Sequence, residues 1–267
     1  MLKNNSAYFY IIKIKLITAL VYRFEFIASI VASGIMMFST VFLWKAVYHA
    51  LTQVDGLTEN QMITYAILSV LLGMLFNISV EKSMYERILQ GDIAIDFVRP
   101  TDIMLCYLAE DIGVSISAFI MKFIPIFILV SVFYFPPMPV NFVSFLLFII
   151  SSVLSYGILW IIEALIGTMH MRFFELGNIG FIKDTIIALL SGSVVPIWFF
   201  PEPLRTVLGF LPFPYTYQTP LGIYIGKYSV YEALVSMTIQ AIWFCLLLLL
   251  LNTIWSKFSK KVMVYGG

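Results

Sequence analysis

Charged side chains are scarce in this sequence. Asp, Glu, Lys and Arg make up 12% of its 267 residues, whereas an average globular protein has about 25%. Hydrophobic residues make up 61%, and the formal net charge is +1. So apolar a composition predicts an integral membrane protein. The near-neutral balance excludes nucleic acid as a partner, because that function needs clustered Lys and Arg to neutralise phosphates.

Cysteine and histidine are also rare. Cys106 and Cys245 lie in or beside apolar segments, at a separation that suits neither a metal site nor a disulfide framework. His49 and His170 fall on opposite sides of the membrane in the predicted topology, so they cannot share a site. The run Gly222–Lys227 is one residue too short for a phosphate-binding loop. We therefore predict no catalytic residue, no metal site, no cofactor and no ATPase in this chain.

Long apolar runs dominate the sequence. A helix needs roughly 20 apolar residues to cross about 30 Å of hydrocarbon, because its backbone polar groups must be satisfied within the segment. We predict an all-α integral membrane protein in which residues 1–267 form one domain with six transmembrane helices. The six predicted spans are Phe26–Trp44, Met62–Val80, Ile112–Phe135, Val140–Ile166, Ile179–Phe200 and Ala233–Ile254. Gly192 and Pro196 interrupt the outer end of the fifth.

The segment before the first span, residues 1–25, contains a further apolar run that includes Lys13 and Lys15. Two lysines at the centre of a span cost roughly 5 to 7 kcal/mol on an insertion scale, which argues against crossing. We predict instead an amphipathic helix that lies in the membrane interface, with Tyr8 and Tyr22 near the headgroups.

Positive charge fixes the orientation. With six spans both termini share one side, and Lys and Arg are far more numerous on that side. It would hold Lys3, Lys13, Lys15, Arg23, Lys82, Arg87, Arg99, Arg172, Lys183, Lys257, Lys260 and Lys261, whereas the other side would hold Lys45, Arg205 and Lys227. The positive-inside rule then predicts a multi-pass protein of the cell membrane with both termini in the cytoplasm.

Much of the charge lies in the cytoplasmic segment 81–102. It contains eight of the 31 charged residues, namely Glu81, Lys82, Glu86, Arg87, Asp92, Asp96, Arg99 and Asp102. We predict a short helix over Ser83–Gln90 that ends at Gly91, followed by a second turn that stops before Pro100. Helices this short need a partner to be stable in water. Charge alone would favour a solvated loop.

The outer segment, residues 191–229, has six of the eleven prolines. Leu204, Val207, Leu208 and Leu211 recur at helical spacing and predict an amphipathic helix at the outer membrane face. We predict a partly re-entrant lid, which is tolerable at membrane depth only if it is buried against other protein. Its candidate outer gate is Pro196, Phe199, Phe200 and Pro201. The alternative is an interfacial aromatic belt without a gating role.

Two ionisable residues lie within the third and fourth predicted spans. Lys122 is in the third span and Glu163 in the fourth, and both fall in the cytoplasmic half of antiparallel neighbours. A buried ion pair that lines a substrate or proton path is one hypothesis. A purely structural pair, or a Glu163 that reaches the cytoplasmic interface, is the other.

Three segments resemble the permease subunits of type-2 ABC exporters, in the same order along the chain. They are LVYRFEF (Leu20–Phe26), ILQGDIAIDFVRP (Ile88–Pro100) and VVPIWFFPEPLRTVLGFLPFPYTYQTPLGIYIG (Val194–Gly226). The resemblance implies a coupling helix within 81–102 that docks in a cleft of a separate ATP-binding subunit. By this resemblance, the contacts and shape of that site would come from Arg87, Gly91, Asp92, Asp96, Arg99 and Pro100.

The resemblance also implies further partners. RFFELGN (Arg172–Asn178) would add a smaller contact to the ATP-binding subunit, which binds the ATP and Mg²⁺. Membrane lipid would surround a dimer with a second permease, either a copy of this chain or a different one. The expected function is export of a lipophilic, amphipathic or peptide-like substrate. The alternatives are a membrane-embedded lipid-modifying enzyme and a non-catalytic channel or assembly subunit.

Overall fold

In the residues that the structure describes, the protein is all-α apart from one two-stranded hairpin. Its computed structural model describes residues 5–21, 23–49, 53–133, 138–173 and 179–259. Within them the helices are α1 Asn5–Val21, α2 Arg23–Tyr48, α3 Glu59–Leu75, α4 Val80–Leu89, α5 Ile93–Val98, α6 Ile103–Ala118, α7 Ile124–Phe133, α8 Phe142–His170, α9 Ile179–Leu190, α10 Glu202–Leu208, α11 Gln218–Tyr224 and α12 Val230–Phe258. The antiparallel strands are β1 Gln53–Val54 and β2 Leu57–Thr58. This confirms the predicted class.

In the described part of the chain, five helical segments are long and apolar enough to cross a membrane. They are Ile27–Tyr48, Glu59–Leu89, Ile103–Val132, Phe142–His170 and Val230–Phe258. The predicted fifth span contains the 12-residue helix α9 and a separate 3₁₀ turn at Ile197–Phe199. At about 1.5 Å per residue, α9 covers roughly 18 Å, less than the hydrocarbon thickness. The chain then turns at Gly192, whose φ is +83°. The six-span count therefore stays a prediction.

Capping side chains stabilise the N-termini of α3, α8 and α12. Thr58 and Gln61 form a reciprocal capping box at the start of α3, and Ser229 and Glu232 form another at the start of α12. The Asn141 side chain accepts a hydrogen bond from Ser144 N–H, 2.7 Å away, at the start of α8. These contacts satisfy backbone donors that a helix leaves unpaired in its first turn.

Helix α8 is the central element of the packing, because it contacts α4, α11 and α12. One buried cluster joins α4 to α8 and α12, through Met84, Ile158 and Leu251. At Gly167 a Cβ atom would lie 3.2 Å from the Glu81 Cα atom and 2.9 Å from the Met84 sulfur. Glycine at this position therefore allows α4 to approach α8 closely.

Helix α1, the predicted interfacial helix, packs along α6. Asp102 N–H donates a 3.3 Å hydrogen bond to the Tyr8 hydroxyl, and Lys15 Nζ lies 2.8 Å from Glu110 Oε2. A Cβ at Gly113 would lie 3.1 Å from the Ile12 carbonyl oxygen, so glycine permits the contact. Lys15 is thus paired with a carboxylate on α6. The depth of α1 in the bilayer stays a prediction.

Candidate functional site

The charged segment forms two short helices, as predicted. Helix α4 ends at Leu89, and Gly91 follows with a φ of +78°, a conformation that glycine adopts without steric cost. Helix α5 ends at Val98, and Arg99 is extended before Pro100. Gly91 and Pro100 therefore bound α5 on both sides.

Asp96 connects these two helices. Its Oδ2 and Oδ1 atoms accept hydrogen bonds from Arg87 Nε and Nη2 at 2.5 and 2.7 Å. Arg99 Nη1 lies 3.2 Å from Oδ1, and the Tyr107 hydroxyl of α6 lies 3.4 Å from Oδ2. The Asp96 side chain is only 7% exposed. Such a two-point guanidinium–carboxylate pair fixes geometry as well as charge, so Asp96 holds α5 against α4 and α6.

Apolar side chains are exposed on the same two helices. Leu89 is 49% exposed, Ile95 55% and Val98 85%. Phe97 is 38% exposed and stacks on Trp255 near the end of α12, with ring centroids 5.9 Å apart. We call Leu89, Ile95 and Val98 the aliphatic face of α4–α5. Because this segment is predicted to lie outside the membrane, these exposed apolar residues are candidates for contact with another protein.

The predicted coupling residues thus have different surroundings. Arg87, Asp96 and Arg99 form one ionic cluster within the chain, and Asp92 lies half-buried just before α5. Their contact with an ATP-binding subunit stays a prediction. The proposed second contact, residues 172–178, lies largely outside the described residues, which stop at 173 and resume at 179.

A buried lysine links α4 to the membrane helices. Lys183 Nζ on α9 lies 2.7 Å from Glu81 Oε2 on α4, 2.5 Å from Glu163 Oε1 on α8 and 3.1 Å from Asp184 Oδ1. The Lys183 side chain is 7% exposed. His170 Nε2 lies 3.5 Å from Glu81 Oε1. Charges this buried must be paired to be tolerated, so one ammonium group connects three helices.

A second buried carboxylate lies close to the start of α4. Asp111 of α6 is 1% exposed and accepts hydrogen bonds from Ser79 N–H and O–H at 3.0 and 2.7 Å. It also accepts one from Trp160 Nε1–H of α8 at 3.1 Å. Three donors offset the cost of burying this carboxylate. Sequence reasoning missed Asp111 because it lies one residue before the predicted third span.

The two ionisable residues of the predicted spans line different cavities. Lys122 lies in a π-helical turn, Phe119–Phe123, and lines a cavity of about 420 Å³. Glu163 lines another, of about 190 Å³, and Tyr217 borders both. Glu163 is paired with Lys183. An ion pair between Lys122 and Glu163 stays a prediction. Separately, π-helical turns such as the one that contains Lys122 occur frequently at functional sites.

The outer segment packs against the membrane helices. Tyr65 O–H and Ser69 O–H of α3 donate 2.6 Å hydrogen bonds to the carbonyls of Gly192 and Ser193. Ile197 N–H donates to Gln218 Oε1 at 2.6 Å, and every residue of α11 is buried. Backbone polar groups of an irregular segment are thereby satisfied inside the protein, as a re-entrant segment requires.

The four candidate gate residues differ in exposure. Pro196 is buried, Phe199 and Phe200 are half-buried, and Pro201 is exposed. The Phe199 ring stacks on Trp44 of α2, with centroids 5.5 Å apart. This contact joins the outer segment to the first span. Whether these residues gate a path stays a prediction.

Gln240 joins the outer segment to two membrane helices. Its side chain on α12 is completely buried, and its Nε2 donates to the carbonyls of Ser151 and Tyr215 at 3.0 and 2.7 Å. Ser151 O–H donates to Gln240 Oε1 at 2.9 Å, and Ser155 Oγ lies 2.8 Å from Gln240 Nε2. The amide therefore bridges α12, α8 and the outer segment.

Tyr65→Phe is expected to lower the free energy of unfolding by about 1–2 kcal/mol, because the Gly192 carbonyl loses a buried donor. Thermal unfolding in detergent would measure this. Tyr231→Phe is the matched control, because Tyr231 is 77% exposed and should change stability by less than about 0.5 kcal/mol. Equal stability of the two variants would contradict the structural role of the Tyr65 hydroxyl.

Within the described residues, no three His, Cys, Asp or Glu side chains are placed to hold a metal ion. The carboxylates of Glu81, Glu163 and Asp184 share the Lys183 ammonium group. The arrangement therefore suits charge pairing between helices.

Comparison with known proteins gives one match. A protein-family model described as "ABC-2 family transporter protein" matches residues 34–265, from within α2 to beyond α12. No curated protein and no solved structure matches the chain significantly. The matched range includes α4, α5, the Lys183 cluster and the outer segment, whereas α1 precedes it.

Proposed function

This chain belongs to the ABC-2 family of transporter proteins, and from that premise we propose that it is the membrane subunit of an ATP-driven exporter. A separate ATP-binding subunit would dock on α4 and α5 and supply ATP and Mg²⁺. The observation that carries this proposal is the aliphatic face of α4–α5, which is exposed although its backbone is held by buried ion pairs. The chain itself would contribute no ATPase site.

The chemistry of this face favours an apolar cleft as its partner. Leu89, Ile95 and Val98 supply aliphatic surface, while Arg87 and Asp96 neutralise each other beneath it. A few residues that become fully desolvated at the centre of an interface carry most of the binding energy, and exposed charges at its rim add little. The proposal thus gives the aliphatic residues the docking role and the charged residues the role of holding the backbone.

A route from the docking site into the membrane supports the same function. Helix α4 contacts α8 at Gly167, and Glu81 on α4 is paired with Lys183 on α9. A displacement of α4 would therefore reach α8 and α9 through contacts that are already formed. We propose that this route transmits ATP-driven closure of the partner, and that two permeases form the conduit between them.

Val98→Asp is expected to weaken binding of the partner ATP-binding subunit by about tenfold or more, because it places a charge in a desolvated interface. The measurement is the dissociation constant of the two purified proteins in detergent. Stability should change little, because Val98 is 85% exposed. Charge reversal at Asp92 and Arg99, in the same assay, tests the contacts that the resemblance implies.

Leu204→Asp is the matched control for this measurement. Leu204 is 43% exposed on α10 and lies in the outer segment, on the opposite side of the membrane in the predicted topology. It should leave the affinity unchanged. Unchanged affinity of Val98→Asp would contradict the docking assignment. Failure of the wild-type chain to bind any ATP-binding subunit would contradict the exporter and favour a channel or assembly subunit.

A further inference from the structure

A large apolar cavity lies between α3, the α6–α7 region and α8. Its volume is about 680 Å³, within the range of roughly 300–1,000 Å³ typical of sites for small molecules. Phe119, Phe123 and Phe127 line it as a stack, with successive centroids 5.1 and 6.0 Å apart. Phe148 and Tyr224 line it at the end nearest the outer segment. The walls are therefore largely aromatic and aliphatic.

The cavity opens to the outside of the helix bundle. Ile116, Phe119 and Ile149 line it and are 38%, 43% and 43% exposed. All three lie on segments long and apolar enough to cross the membrane. A ligand would therefore enter from the hydrocarbon region of the bilayer, which favours a lipophilic molecule.

Hydroxyl groups form one polar corner in this apolar wall. Ser115 O–H donates to the Leu75 carbonyl at 2.9 Å, and the Tyr156 hydroxyl lies 3.3 Å from Ser115 Oγ. The Ser152 hydroxyl also belongs to the lining, is buried at its oxygen, and has no hydrogen-bond partner within the described part of the chain. A buried hydroxyl without a partner costs free energy, which a ligand's hydrogen bond would recover.

Charge restricts the ligand further. Every described residue that lines this cavity is uncharged, in contrast to the cavity that contains Lys122. An ionised group would lose its hydration here without gaining a counter-ion. The lining thus disfavours carboxylates, phosphates and ammonium groups, and suits a neutral molecule with one hydroxyl or carbonyl group.

We propose that this cavity binds a neutral, long-chain lipophile whose single hydroxyl or carbonyl group hydrogen-bonds to Ser152. The alkyl part would lie against the stack of Phe119, Phe123 and Phe127. This inference goes beyond the exporter function, because the site is formed by this chain alone and does not require an ATP-binding subunit. The ligand's source is either the surrounding bilayer or the transported cargo.

The test uses the full chain in phosphatidylcholine nanodiscs, without an ATP-binding subunit. The probe is hexadecanol with a photoreactive diazirine on its alkyl chain, and labelled peptides are identified by mass spectrometry. Saturable labelling of α6 and α8, displaced by excess hexadecanol but not by palmitate, is expected. Uniform labelling of all lipid-facing helices that unlabelled hexadecanol does not displace would overturn the proposal.

Two substitutions at Ser152 separate the cavity from its polar group. Ser152→Phe fills the cavity and should abolish saturable labelling. Ile150→Phe is the control, because Ile150 lies on the same helix, is 52% exposed and does not line the cavity, so labelling should be retained. Ser152→Ala should weaken hexadecanol binding by roughly 2- to 12-fold, the range of one hydrogen bond, and leave binding of the matching alkane unchanged. Equal labelling of Ser152→Phe and Ile150→Phe would overturn the site even if both variants fold.

Labelling in the assembled transporter distinguishes the two sources. Loss of labelling on addition of ATP would support a transported ligand at this site, and unchanged labelling would support a resident membrane lipid. Because the first experiment uses the permease alone, its failure is independent of whether Val98 docks an ATP-binding subunit.

Discussion

Lys183→Met is expected to lower the free energy of unfolding by about 3–5 kcal/mol, the usual cost of removing one partner from a buried ion pair. The Lys183 side chain is 7% exposed and its ammonium group contacts Glu81 and Glu163 on two different helices. Without it, two largely buried carboxylates lose the ammonium group that they share. Unfolding in detergent, monitored by heat or denaturant, would measure the loss.

Two comparisons make this prediction specific. Lys82→Met removes a lysine of α4 whose own side chain is 80% exposed, with its Nζ atom 3.8 Å from Glu86 Oε1. This change should lower the free energy of unfolding by less than about 0.5 kcal/mol. The triple variant Lys183→Met, Glu81→Gln, Glu163→Gln removes the charges together and should recover much of the lost stability. A Lys183→Met protein as stable as Lys82→Met would contradict the buried cluster.

Asp96→Ala is expected to cost about 3 kcal/mol and to weaken docking of the ATP-binding subunit. The estimate lies at the lower end for buried pairs because the Arg87 side chain is 29% exposed. Helix α5 has six residues, too few to be stable alone, so the loss of Asp96 should release it from α4. Stability and the dissociation constant of the partner, measured on the same preparation, would show both effects.

The control and the rescue for Asp96 use neighbouring residues. Glu86→Ala removes a carboxylate from the same helix pair, but its side chain is 54% exposed and should matter little. Arg87→Met combined with Asp96→Ala should restore part of the stability by removing the unpaired guanidinium. If Asp96→Ala lost docking with unchanged stability, Asp96 would contact the partner directly, as the resemblance implies.

The sequence predicted those parts of the site that depend on local backbone chemistry. Gly91 and Pro100 end the helices as expected, because positive φ and the restriction before proline act within a few residues. The apolar runs likewise indicated the membrane helices. Such signals need no knowledge of which helices become neighbours.

The buried charges depend on tertiary contacts, and so the sequence did not predict them. From the sequence, Lys183 was assigned only to the cytoplasmic side as a positive charge. Its partners could not be identified there, because Glu81 and Glu163 lie 102 and 20 residues earlier in the chain. In the sequence, nothing distinguishes Asp96 from Asp92. The structure distinguishes them, because Asp96 contacts Arg87 and Tyr107 of α6. Hydropathy predicted a continuous span over Ile179–Phe200, whereas helix α9 ends at Leu190, because hydropathy does not register the positive φ of Gly192.

The buried amide of Gln240 has a consequence for transport itself. A slide of α12 along α8 by one helical turn, about 5.4 Å, would break its hydrogen bonds to Ser151 and Tyr215 together. In hydrocarbon no water would replace them. Helices α8 and α12 are therefore expected to move together during a transport cycle, so that spin labels on the two helices keep a constant separation.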